Sequence, residues 1–125
     1  MFATALVDDG PDGDLARERM RGDADVHAPH LIDLEVASTF RKGVQRGDID
    51  ASRAMQALVD LADSRIRRYP HTSFLPRVWE LRENLTVYDA AYVALAETLD
   101  AVLVTADQRI AGAAGVRCAC EVLGR

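Results

Sequence analysis

Three of the 20 acidic side chains in this 125-residue sequence stand where chemistry, rather than simple solvation, is expected of them. Asp107 follows Val102-Leu103-Val104-Thr105-Ala106, at the point where a buried-type strand gives way to polar residues. Asp89 lies in Tyr88-Asp89-Ala90-Ala91-Tyr92-Val93-Ala94-Leu95, which is small and apolar company for a carboxylate. Glu35 sits between Leu34 and Val36, in the first turn or so of a helical pattern. Carboxylates in such positions suit a hard divalent cation, Mg²⁺ or Mn²⁺, which takes oxygen ligands and keeps several waters. The chemistry this supports is in-line phosphodiester hydrolysis, in which the cation acidifies a bound water and neutralises the attacked phosphate. Each residue also has a plainer reading: Asp89 and Glu35 favour the positive end of a helix, and Asp107 is an N-cap.

The elements that must position these acids follow from periodicity. After Met1–Val7, the run Asp8-Asp9-Gly10-Pro11-Asp12-Gly13 is a turn, and Asp14–Arg21 reads as a short charged helix. Val26-His27-Ala28 is a short strand stopped by Pro29. Ile32, Val36, Ala37, Phe40 and Val44 recur at helical steps from Leu31 to about Arg46, and Gly47 ends that helix. Asp50 caps the next, whose apolar stripe is Ala54, Met55, Leu58, Val59 and Ala62. Ile66–Tyr69 is a strand. Phe74, Val78, Leu81 and Leu85 mark another helix, with Pro76 in its first turn. Thr86 caps a helix running to about Leu99, Ala101–Thr105 is a buried strand, Asp107–Ala114 begins a short helix, and Val116–Leu123 is the last strand. Short strands alternating with helices predict an α/β fold with a short parallel sheet covered on both faces, and sites in such sheets gather at strand carboxyl ends.

Accessory candidates lie close to the acids. Thr105 is placed to hydrogen-bond a metal-bound water or a phosphate, or is an ordinary β-branched strand residue. Arg82 and Asn84, just before the Asp89 helix, are candidate contacts to a phosphodiester substrate or a solvated helix end. Arg41, Lys42 and Arg46 form a basic patch of the kind that is usually solvated surface and that also suits a phosphate backbone. His27, His30 and His71 lack metal-ligand spacing, no serine has a nucleophile-elbow context, and no Gly-rich phosphate loop exists; Gly112 and Gly115 are turn glycines. Trp79 and Phe74 are expected in the core. Cys118 and Cys120 share one face of an alternating segment with Val116 and Val122, and read as two small buried hydrophobes in a reducing compartment rather than half a thiolate site.

Whole-chain quantities bound the rest. The length suits one domain over residues 1–125. A net charge of −5 argues against a general nucleic-acid coat or an anionic-membrane binder, while leaving room for nucleic-acid chemistry at a cation-filled site. Phe2–Val7 is too short for a signal peptide or membrane span, which points to the cytoplasm.

The stretch Arg82-Glu83-Asn84-Leu85-Thr86-Val87-Tyr88-Asp89-Ala90-Ala91-Tyr92-Val93-Ala94-Leu95-Ala96-Glu97, followed by Leu103-Val104-Thr105-Ala106-Asp107, resembles PIN-domain ribonucleases, and more narrowly the VapC-type toxins of toxin–antitoxin modules. Pro29-His30-Leu31-Ile32-Asp33-Leu34-Glu35-Val36 is similar to the family's earlier segment, whose helix supplies a second acid. The resemblance covers the chain from about residue 26 onward. It implies a PIN-like three-layer fold, Mg²⁺- or Mn²⁺-dependent cleavage of RNA at Glu35, Asp89 and Asp107, neutralisation by a cognate antitoxin, and a homodimer. The family usually opens with a hydrophobic strand ending in a further metal-binding Asp, which this sequence does not show. Phe2–Val7 is expected to be the remainder of the first helix, with Asp8 as the other candidate for that acid. Two rival readings use the same residues. One is a catalytically impaired PIN-like module that binds an antitoxin or partner protein, and the other is a DNA nuclease of the same fold.

Overall fold

The computed structural model describes residues 26–123. The expected features at Phe2–Val7, Asp8–Gly13 and Asp14–Arg21 lie outside them. The described residues divide into two compact units, one holding Val26, His27 and Leu31–Arg67, the other Ala28–His30 and the residues from Arg68 to Leu123.

Among its described residues the first unit is built on two helices, α1 (Leu31–Gln45) and α2 (Ala51–Ala62), packed on each other. Ile32, Val36 and Phe40 repeat at four-residue steps on α1 and are almost wholly buried, as the periodicity requires. Gly47 ends the helix region at φ 79°, a conformation that costs glycine nothing. Asp50 occupies the N-cap of α2, yet its carboxylate makes no bond to the helix N–H groups and instead accepts the Ser52 hydroxyl at 2.8 Å. The apolar stripe of α2 is only partly a core face. Ala54 is buried, as is Leu61, which the expected stripe leaves out, whereas Met55 is 60% exposed and Val59 also faces solvent. Amphipathic spacing marks a face but does not say that anything covers it.

In the second unit, α4 (Val87–Leu99) is the central helix, following the six-residue α3 (Leu75–Glu80), which is itself preceded by a 3₁₀ turn at Thr72–Phe74. Ala90, Ala91, Val93, Ala94, Leu95 and Ala96 are all buried, so α4 is enclosed on several sides, touching α3, the 3₁₀ turn and the strand that follows. Its start is fixed by Thr86, whose Oγ1 accepts the Asp89 N–H at 3.1 Å. It ends in a left-handed residue, Asp100 (φ 51°), with the Ala101 N–H returning to the Ala96 carbonyl.

The strands are shorter than the sequence suggests. β1 (His27–Pro29) pairs with β2 (Arg67–Tyr69), and β3 (Leu103–Thr105) pairs in parallel with β4 (Cys120–Val122), Leu103 opposite Cys120 and Thr105 opposite Val122. Among the described residues these are two separate pairs, not one continuous sheet, and Pro29 belongs to β1 instead of stopping it. The predicted strand from Val116 is regular only over Cys120–Val122, but its alternation survives: Val116, Cys118, Cys120 and Val122 are half-buried while Arg117, Ala119 and Glu121 are exposed. Both cysteines are free thiols, and burial with Cys120 alongside pushes the Cys118 thiol up to about 11, which favours its protonated form. Between β3 and β4 lies a single turn of helix, α5 (Gln108–Ala111).

Candidate active site

Asp107 is delivered to its place by local backbone chemistry. β3 ends at Thr105, a residue only 3% exposed, whose Oγ1 accepts the Asp107 N–H at 3.0 Å. That bond turns the chain out of the strand and makes Asp107 the N-cap of α5, where its Oδ1 accepts the Arg109 N–H at 2.9 Å. The same carboxylate takes a two-point fork from the Arg109 side chain, Nε to Oδ1 at 3.1 Å and Nη2 to Oδ2 at 2.9 Å. The Arg109 guanidinium and its backbone N–H hold the Asp107 carboxyl below the usual carboxylate range. Arg109 is in turn held more firmly protonated, mainly by Asp107 and to a smaller degree by the charge of Asp89.

Asp89 lies half-buried in the first turn of α4, with its backbone fixed by Thr86 and with Ala90 and Ala91 buried behind it. Asp89 and Asp107 therefore belong to one unit and act on one guanidinium. Glu35 is half-buried on α1 in the other unit, where its carbonyl accepts the Thr39 hydroxyl. Among the described residues no three of His, Cys, Asp and Glu form a group that could hold a metal ion. Two carboxylates remain a fitting donor set for a hard cation, since Mg²⁺ is commonly held by one or two carboxylates, its remaining positions going to water and substrate phosphate.

The accessory candidates resolve into specific contacts. Thr105 Oγ1 accepts the Asp107 N–H, which makes it a support for that acid. Asn84 donates its Nδ2 to the Ala114 carbonyl at 3.1 Å, tying the segment before α4 to the turn after α5. Arg82 lies over the Trp79 ring, 4.5 Å from its centroid, and donates to the Trp79 carbonyl. Trp79 itself is 63% exposed, contrary to its expected place in the core, while Phe74 is buried as expected. Arg41, Lys42 and Arg46 are exposed, and Arg46 pairs with Asp48.

Two residues escaped the sequence reading. Arg109 was detectable in principle, as a cation two places beyond a candidate N-cap Asp. Arg77 was not: its partner Glu97 is 20 residues away and its spacing coincides with an apolar stripe.

A PIN domain matches residues 2–116 of this chain. The chain belongs to the PIN-domain family. The match extends the likeness well ahead of residue 26. A VapC ribonuclease of Mycobacterium bovis is 43% identical over 125 residues, covering 97% of this chain and 91% of the relative. Ribonuclease VapC1 of Mycobacterium tuberculosis is 42% identical over 98 residues (78% and 74%), and ribonuclease VapC12 of the same species 36% over 121 residues (97% and 93%). The α/β architecture of short strands flanked by helices agrees with this PIN-domain membership.

Proposed function

We propose that this chain is a VapC-type endoribonuclease, the toxin of a toxin–antitoxin module, hydrolysing RNA phosphodiester bonds with a divalent metal held by Asp89 and Asp107, and with Glu35 as a further catalytic acid. The observation that carries the reading is the placement of the two acids within one unit, Asp89 in the first turn of α4 and Asp107 at the N-cap of α5 just beyond the carboxyl end of β3. Similarity to VapC ribonucleases over 97% of the chain supports the RNA substrate. Both units are taken as parts of one PIN domain, because the family match runs through both.

When bound, the cation supplies a water acidified toward hydroxide and neutralises charge on the attacked phosphate. The chain's own contribution is to keep these carboxylate oxygens ionised. Asp107 stays ionised to low pH through its Arg109 bonds, and Asp89 is fixed by the Thr86 cap. Mg²⁺ is the proposed metal, with Mn²⁺ able to replace it on the same oxygen donors.

The proposed partners are RNA, a cognate antitoxin and a second copy of this chain, the last supported by apolar side chains left uncovered at Leu34, Met55 and Val59. No helix among the described residues is long and apolar enough to cross a membrane, and the cytoplasm is the proposed place of action.

The test is RNA cleavage with Mg²⁺ and Mn²⁺ by the chain and its Asp89→Asn variant. Cleavage should fall by more than about 100-fold, beyond the loss of an outer-shell partner, with the circular dichroism spectrum unchanged. Undiminished cutting would remove Asp89 from the mechanism, and a chain that binds antitoxin but never cuts would favour the impaired binding module.

A further inference from the structure

Arg109 commits most of the Asp107 carboxylate. A carboxylate offers about four lone-pair positions, two on each oxygen. On Asp107, Oδ1 already accepts the Arg109 N–H and Arg109 Nε, and Oδ2 accepts Nη2. One position, on Oδ2, is left. The side chains differ sharply in exposure, 33% for Asp107 and 90% for Arg109, so little packing holds the guanidinium in place beyond its bonds to the acid. Its charge also lies in the field of Asp89, the other acid proposed to hold the metal.

We propose that Arg109 is a built-in competitor for the metal site, an intramolecular cation that occupies Asp107 and must turn away before a divalent ion can use both of its oxygens. This rests on the reading of Asp107 as a metal ligand. Two contributions act together: the fork occupies oxygens the metal needs, and a fixed positive charge beside the site repels a second one. The backbone N–H of Arg109 continues to hold Oδ1 after the side chain leaves, so the carboxylate keeps its direction. An exposed ion pair is a weak obstacle, which sets the size of the effect: removing it tightens metal binding roughly two- to fivefold. Affinity is therefore held below what the acids alone would give.

The experiment is a Mn²⁺ titration of the full chain, read by the electron paramagnetic resonance signal of free Mn²⁺, for the native protein, Arg109→Gln, Asp107→Asn and the double variant. Arg109→Gln should bind roughly two- to fivefold tighter, Asp107→Asn at least about tenfold weaker. In the Asp107→Asn background, removing Arg109 should give a distinctly smaller gain. If Asp107→Asn weakens binding but Arg109→Gln does not tighten it, the competitor role is overturned and the metal site stands. An equal gain in both backgrounds overturns it too, because Arg109 would then act as a general charge and not through Asp107. If Asp107→Asn binds Mn²⁺ as well as the native chain, the reading of Asp107 as a ligand falls, and the proposal with it.

Discussion

Arg77 on α3 and Glu97 on α4 meet through two parallel hydrogen bonds, Nε to Oε1 at 2.7 Å and Nη2 to Oε2 at 3.0 Å, with both side chains mostly shielded from water. The pair reaches further than two helices. Arg77 Nη2 also donates to the Gly115 carbonyl, and Glu97 Oε2 accepts the Arg117 N–H at 2.8 Å. One ion pair thus fastens the whole connection between α5 and β4 to the central helix. At Gly115 the chain takes φ 88°, and a Cβ there would press to 3.3 Å from Leu81 Cδ2, so the turn that meets Arg77 needs glycine.

Glu97→Gln should cost about 2 kcal/mol of stability, since it weakens hydrogen bonds to a charged group and leaves the shielded Arg77 guanidinium with only the more distant, exposed carboxylate of Glu80, 3.7 Å away. The pH dependence identifies the cause. The Arg77 hydrogen bonds hold Glu97 below its ordinary value of 4.5, so the unfolded chain binds this proton more readily than the folded one. The contribution is whole above about pH 4.5 and drains away as pH falls through the lower folded value. Urea midpoints measured from pH 7 to pH 3 should fall less steeply for Glu97→Gln than for the native chain. Parallel slopes would show that the pair contributes nothing to acid stability.

Thr86→Ala removes the cap that receives the Asp89 N–H, and should lower stability by about 1 kcal/mol. Because the freed first turn carries Asp89, Mn²⁺ affinity should fall several-fold as well. Thr86→Ser keeps the acceptor and should restore both. A loss of stability without any change in metal affinity would separate the cap from the site.

Thr105→Val keeps the shape of a buried side chain and deletes the acceptor for the Asp107 N–H. Stability should drop by about 1–2 kcal/mol through the orphaned donor. Mn²⁺ affinity should fall with it, and Thr105→Ser should rescue that affinity. Unchanged binding by Thr105→Val would make Thr105 a core residue only.

Asp100 holds a left-handed conformation that L-residues enter at a cost, so Asp100→Gly should raise stability by about 0.5–1 kcal/mol, the strain relieved exceeding the added freedom of the unfolded chain. The measurement is a denaturant midpoint, and a lower one would mean that the Asp100 side chain stabilises the end of α4.

What the sequence made legible was the local chemistry. The Thr86 cap, the Gly47 stop and the Asp107 N-cap follow from rules that act within one turn, and each stands where the spacing places it. The helix carrying Asp89 was readable because its apolar residues surround the axis. Legibility failed where distant residues decide the outcome. Nothing in the spacing of Met55, Val59 and Trp79 says whether another element covers them, and all three are exposed. Strand lengths were overestimated because apolar runs continue past the few residues that find a pairing partner, as at Val116–Ala119. The Arg77–Glu97 fork needed the two helices already packed.

Thr105 Oγ1 fixes the backbone of Asp107, and the Arg109 N–H fixes its carboxylate, both through donors and acceptors that no ligand has to displace. The rotamer of this acid is therefore chosen when the chain folds. An ion arriving at Asp107 does not have to freeze a freely rotating side chain, and the conformational entropy of doing so has already been lost. A carboxylate on an unrestrained loop would impose that loss at every binding event, whereas here it is met once, during folding.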